Sequence, residues 1–190
     1  MKIIGITGKS GSGKTELAAL LAEELHGKYI DIDKIGHEAN KQPEILKDLC
    51  ETFGKGILDI NGQLDRKKLG AIVFLDKNKM DQLTDITWGY MQKQLDSIME
   101  QSNDIFVLDW ILLPKSKYWE MCDLRILVTA NDEIRKIKVL ERDNITEEYF
   151  EKRDSASLDY SPFKFDYVFE NDYESETIEK IVETIKKGMK

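Results

Sequence analysis

The stretch Gly8-Lys9-Ser10-Gly11-Ser12-Gly13-Lys14-Thr15 constrains this chain more than any other. It fits the spacing G-x-x-x-x-G-K-[ST] at every fixed position. Glycines allow a backbone curl in which successive N–H groups point at one anion, and the helix that follows turns its positive end to the same place. Gly8, Lys9, Ser10, Gly11, Ser12, Gly13, Lys14 and Thr15 are therefore read as the cofactor-binding residues for a nucleoside triphosphate, ATP with Mg²⁺. Lys14 is expected to reach the β and γ phosphates, and the Thr15 hydroxyl to ligate the metal.

The context fits. An apolar run, Ile3–Thr7, precedes the loop. After it, Leu17, Leu20, Leu21, Ala22 and Leu25 recur at helical spacing over Lys14–Leu25, and Gly27 reads as the stop. Further strand candidates are Lys28–Ile32, Ile105–Asp109, Leu124–Thr129 and Asp166–Phe169. Strands alternating with helices predict an α/β fold with a parallel sheet and a single domain over 1–190. The stretch from Lys34 to Asn103 is too long for a simple crossover and reads as a mostly helical acceptor-binding insertion, broken near Gly54–Gly62. The stretch Asn131–Asp159 is about half charged and follows a strand end. It reads as a lid that brings arginines to the phosphates, against the plainer reading of two solvated helices.

A net charge of −8 argues against nucleic acid and anionic membranes as partners. No apolar run approaches the roughly 20 residues of a membrane span, and Met1–Thr7 does not resemble a signal segment. Cys50 and Cys122 stand far apart without metal-ligand spacing, so reduced thiols in a cytoplasmic protein are expected.

Three acids fall at strand ends on the crevice side of such a sheet: Asp31, Asp33 and Asp109. Asp31 or Asp33 could take a proton from an acceptor hydroxyl. Asp109, closing the run Ile105–Leu108, stands where a carboxylate holds Mg²⁺. Asp59–Gly62 and Asn78–Asp81 imitate GTPase motifs, but the interval between them cannot hold the strand and helices a GTPase needs. His26 reads as a surface residue, and His37 as a candidate lining of the acceptor site.

With these pieces in place the chain resembles the dephospho-CoA kinase family over nearly its whole length. The resemblance runs through Gly5–Gly8 and the loop, Ile30–Asp33, Phe53-Gly54, Asp59–Arg66, Leu69 and Val73-Phe74. It continues through Asp109, Leu112 and Leu113, then Glu141–Asp143 with Thr146 and Glu148, and Asp166–Val168 with Asn171. It implies phosphorylation of the 3′-hydroxyl of dephospho-CoA by ATP, the last step of coenzyme A biosynthesis, on a five-stranded P-loop kinase sheet of order 2-3-1-4-5. It implies Asp33 as base, Asp33, Arg66 and Asp109 on the substrate side, Thr15 and Asp109 toward Mg²⁺, and Lys14 and Arg142 at the transferred phosphoryl group. The chain departs from the family pattern at Trp88-Gly89, where His-Pro is usual, at Ile111–Lys115, at Lys138 in place of an arginine and at Ser157 in place of a glutamine. The alternatives are another small-molecule or nucleotide kinase on the same scaffold, or a nucleotide-binding protein with little kinase activity.

Overall fold

The computed structural model describes residues 1–74, 76–101 and 104–188. Asn103 and Lys190, at the ends of ranges read from the sequence, lie outside the described residues.

Five parallel strands form one sheet in the order β2-β3-β1-β4-β5. They are β1 (Lys2–Thr7), β2 (Lys28–Asp31), β3 (Ile105–Asp109), β4 (Leu124–Ala130) and β5 (Tyr167–Asn171). The apolar run of β1 is continuous rather than alternating because both faces of the sheet are covered, as parallel strands require. Ile3 faces one core with Phe106 and Leu108, while Ile4 and Ile6 face the other with Val107. The second core is roofed by α1 (Lys14–Glu24) and α9 (Ser175–Gly188).

The first core lies under the long helical stretch between β2 and β3. That stretch holds α2 (Ile32–Ala39), α3 (Pro43–Phe53), α4 (Arg66–Val73) and the 24-residue α5 (Lys77–Glu100). Asp31, Asp65 and Asp76 cap α2, α4 and α5 by accepting backbone N–H bonds. The turn-rich break appears as a short 3₁₀ turn at Lys55–Ile57 followed by the loop to α4. Asn78–Asp81 opens α5 instead of following a strand, so its likeness to a GTPase motif is accidental. Beyond β3, α6 (Lys117–Met121) leads into β4, and β4 into the hairpin of α7 (Asp132–Asp143) and α8 (Glu147–Ser155).

Two local expectations need correction. Gly27 does not stop α1; His26 does, with φ 51°, and Gly27 is required because a Cβ there would lie 2.7 Å from the Ile105 carbonyl of β3. Asp33 does not end a strand. β2 stops at Asp31, and Asp33 lies in the first turn of α2. No helix among the described residues is long and apolar enough to cross a membrane.

Candidate active site

Register builds the site. Asp31 of β2 and Ile6 of β1 both pair with Asp109 of β3, so the strand carboxyl ends bring two acids beside the start of the phosphate loop. The loop curls through left-handed backbone at Gly11 (φ 82°) and Gly13 (φ 88°). Lys14, the first residue of α1, is only 8% exposed, and its charge acts on both Asp33 and Asp109.

Asp109 is buried at 3% exposure. Its Oδ2 accepts from Thr15 Oγ1 at 2.7 Å and from the Tyr29 hydroxyl at 3.2 Å. Its Oδ1 has no partner among the described residues. A buried carboxylate oxygen without a donor is costly unless a cation completes it. The pair Thr15 and Asp109 thus fits a hard, oxygen-seeking ion such as Mg²⁺. Burial raises the Asp109 pKa, against the pull of Lys14 and Thr15.

Burial also lifts the Asp33 carboxyl, up to about 6. Lys14 pulls it down, Asp109 and Asp31 push it up, and the Trp110 indole N–H favours its ionised form. A carboxylate titrating near neutrality beside a phosphate loop has the basicity a proton acceptor needs. Asp31 caps α2, its Oδ1 accepting from Lys34 N at 2.8 Å. Arg66, the first residue of α4, acts electrostatically on His37 and Glu38 of α2. Burial and Arg66 together depress the His37 pKa.

The α7–α8 hairpin lies against the loop. Arg142 Nη2 donates to Ser10 Oγ at 3.3 Å, and Asp143 orients it through Nε at 2.7 Å. Arg153 donates to the same Ser10 hydroxyl and to Asp143 Oδ2. Arg135, 2% exposed, grips Asp154 with two bonds and the Ser10 carbonyl with a third. The sequence reading missed Arg153, Arg135, Tyr29, Tyr173 and Trp110. Arginines at 135 and 153 were visible as part of a charged stretch, but nothing in their spacing separated them from solvated neighbours.

A model of the family described as dephospho-CoA kinase matches residues 2–182. The chain belongs to the dephospho-CoA kinase family. The dephospho-CoA kinase of Aquifex aeolicus is 35% identical over 98% of this chain and 95% of its own length. That of Fusobacterium nucleatum is 34% identical over 95% of each. Among solved structures, TT1252 from Thermus thermophilus superposes with a TM-score of 0.80 at 24% identity, covering 100% of this chain and 98% of that one. A dephospho-CoA kinase from Campylobacter jejuni (TM-score 0.59, 21% identity, 98% and 96% covered) shares the fold. So does a shikimate kinase from Acinetobacter baumannii (0.58, 13%, 99% and 94% covered).

Trp88, Lys138 and Ser157, three residues expected to depart from the family pattern, have defined surroundings. Trp88 is half-buried and stacks on Trp110 with centroids 5.3 Å apart and planes 10° from parallel. Both line a cavity of about 740 Å³ between α5 and the end of the hairpin, together with Met80, Leu112 and Leu158. Lys138 lies over the Tyr173 ring at 4.5 Å, a cation–π contact. Ser157 closes α8 by donating to the Asp154 carbonyl at 2.6 Å.

Proposed function

We propose that the chain transfers the γ-phosphoryl group of ATP to the ribose 3′-hydroxyl of dephospho-CoA. Asp33 takes the proton of that hydroxyl as its oxygen bonds to Pγ, the bond from Pγ to the β,γ-bridging oxygen breaks, and ADP leaves. Phosphoryl transfer of this kind is catalysed by positioning and charge stabilisation. Lys14 supplies the cation at the β and γ phosphates, and Gly8 to Thr15 supply the cradle. Thr15 and Asp109 would hold Mg²⁺, which when bound neutralises developing phosphate charge. Arg142 and Arg153, already turned onto Ser10, extend that neutralisation from the 131–159 lid. The helices of the 34–103 insertion would form the acceptor side, with Arg66, whose charge reaches His37, and the cavity lined by Trp88 and Trp110 as its candidate contacts.

The observation that carries this reading is Asp33. In this family member it is the carboxylate near the loop lysine that burial tunes to about 6. Trp110, which hydrogen-bonds Asp33, also lines the cavity with Trp88, so that cavity would offer an extended acceptor binding energy remote from the reacting hydroxyl. The test supplies dephospho-CoA, adenosine monophosphate and shikimate at equal concentration with ATP and Mg²⁺, follows ADP, and identifies the product by mass. Product from dephospho-CoA with little from the others is expected. Product from another acceptor but none from dephospho-CoA overturns the acceptor. Nucleotide binding without product from any acceptor overturns the kinase reading.

A further inference from the structure

Three consecutive carbonyls of the phosphate loop are each held by a side chain from outside it. Arg135 Nη1 of α7 donates to the Ser10 carbonyl at 3.0 Å. The Tyr173 hydroxyl, from the turn after β5, donates to the Gly11 carbonyl at 2.9 Å. Asn171 Nδ2, at the end of β5, donates to the Ser12 carbonyl at 3.0 Å.

In a trans peptide the C=O and the next residue's N–H point in opposite directions within one plane, and the described chain has no cis bond. Fixing a carbonyl outward therefore fixes the following N–H inward. The Ser10, Gly11 and Ser12 carbonyls control the Gly11, Ser12 and Gly13 N–H groups. Ser12 N–H turns back onto the Lys9 carbonyl at 3.1 Å and closes the curl. The Gly11 and Gly13 N–H groups remain for an anion.

We infer that Arg135, Asn171 and Tyr173 are positioning residues that aim the phosphate loop, so that the nucleotide meets N–H groups already turned toward it. The inference rests on the proposed nucleotide-binding role of the loop. None of the three needs to touch a phosphate.

Two features of the loop follow from these holders. A Cβ on Gly11 would lie 2.9 Å from Arg135 Cγ and 2.5 Å from Val139, and one on Gly13 would collide with Asn171 Nδ2. The glycines are thus needed for access by the holders as well as for their positive φ. Tyr173 itself has φ 67°, a strained backbone for a bulky residue. Asn171 Oδ1 accepts its N–H at 2.9 Å and keeps the ring under the loop. Strain of this kind persists where surrounding contacts over-determine it.

The test uses the full chain and two probes: Mg·ATP, and Mg·tripolyphosphate, which has no base or sugar. Tyr173→Phe removes only the hydroxyl. The second variant combines Arg135→Met with Asp154→Leu, which removes buried Arg135 together with its half-buried partner, so that neither is left without the other. Each is expected to weaken ATP and tripolyphosphate by the same factor, roughly two- to tenfold per lost carbonyl contact. The affinity for dephospho-CoA in the absence of nucleotide is expected to stay unchanged, with the melting temperature of Tyr173→Phe within a few degrees of the parent. Loss of ATP affinity with tripolyphosphate unaffected would place Tyr173 at the base and overturn the inference. Unchanged affinity for both probes overturns it too. A parent protein that binds neither probe defeats the nucleotide reading itself.

Discussion

Thr15 Oγ1 donates to Asp109 Oδ2 across 2.7 Å, joining the first turn of α1 to the end of β3. The hydroxyl and carboxylate thereby face the same point, while Asp109 Oδ1 is left without a donor. Asp109→Asn keeps the shape and removes the charge. It is expected to raise the Mg²⁺ concentration for half-maximal activity by roughly 10- to 100-fold, the range seen when groups around a metal are altered. A Mg²⁺ titration at saturating ATP measures this, and an unchanged midpoint would remove Asp109 from the metal site.

Asp33 gives a prediction in pH. Its carboxyl titrates near 6 instead of its ordinary 3.8, chiefly through burial. A base must be ionised to accept a proton, so kcat/KM is expected to fall tenfold per pH unit below about 6 and to level off above it. Asp33→Asn should lower kcat by about 10² to 10⁴ with ATP affinity nearly intact. A parallel fall in ATP affinity would reassign Asp33 to the metal.

The same shift has a stability sign. A carboxyl whose folded pKa is raised binds more protons folded than unfolded, so its contribution to stability declines as pH rises from about 4 through about 6. Asp33→Asn removes that loss. Its melting temperature at pH 7 is expected to equal or exceed the parent's, which calorimetry can check.

Lys14 is buried near Asp33 and Asp109, two carboxylates that it helps to keep ionised. Lys14→Met is expected to cut turnover by at least about 10²-fold, as loss of a preorganised transition-state charge does. It should also weaken ATP binding and move the acid limb of any residual activity to higher pH. Residual turnover with the limb unmoved would mean that Lys14 does not act on Asp33.

The Trp88–Trp110 stack lines the cavity proposed to take the acceptor. Trp88→Ala removes an aromatic pair worth about 0.5–1.5 kcal/mol beyond its buried area. The KM for dephospho-CoA is expected to rise with the KM for ATP unchanged. Equal change in both would make Trp88 a general core residue.

Sequence alone settled the sheet and the loop. Contiguous residues encode both: a β-rich apolar run, glycines at fixed spacing, and a helix whose leucines repeat along one face. Asp109 was legible for the same reason, as the residue that ends its own strand. That Asp33 lies in a helix, and that burial raises its pKa, was not legible. Both depend on what packs around it, from Lys14 to Trp110. The arginines of the α7–α8 hairpin show the limit most clearly. Arg135, Arg142 and Arg153 share one charged stretch, yet one is buried against a loop carbonyl and two meet at a loop hydroxyl. Local sequence fixes backbone pattern through short-range sterics and periodicity. The direction of a long charged side chain, the orientation of a loop peptide and the pKa of a carboxyl are set largely by neighbours distant in the chain, and only the tertiary structure brings those into contact.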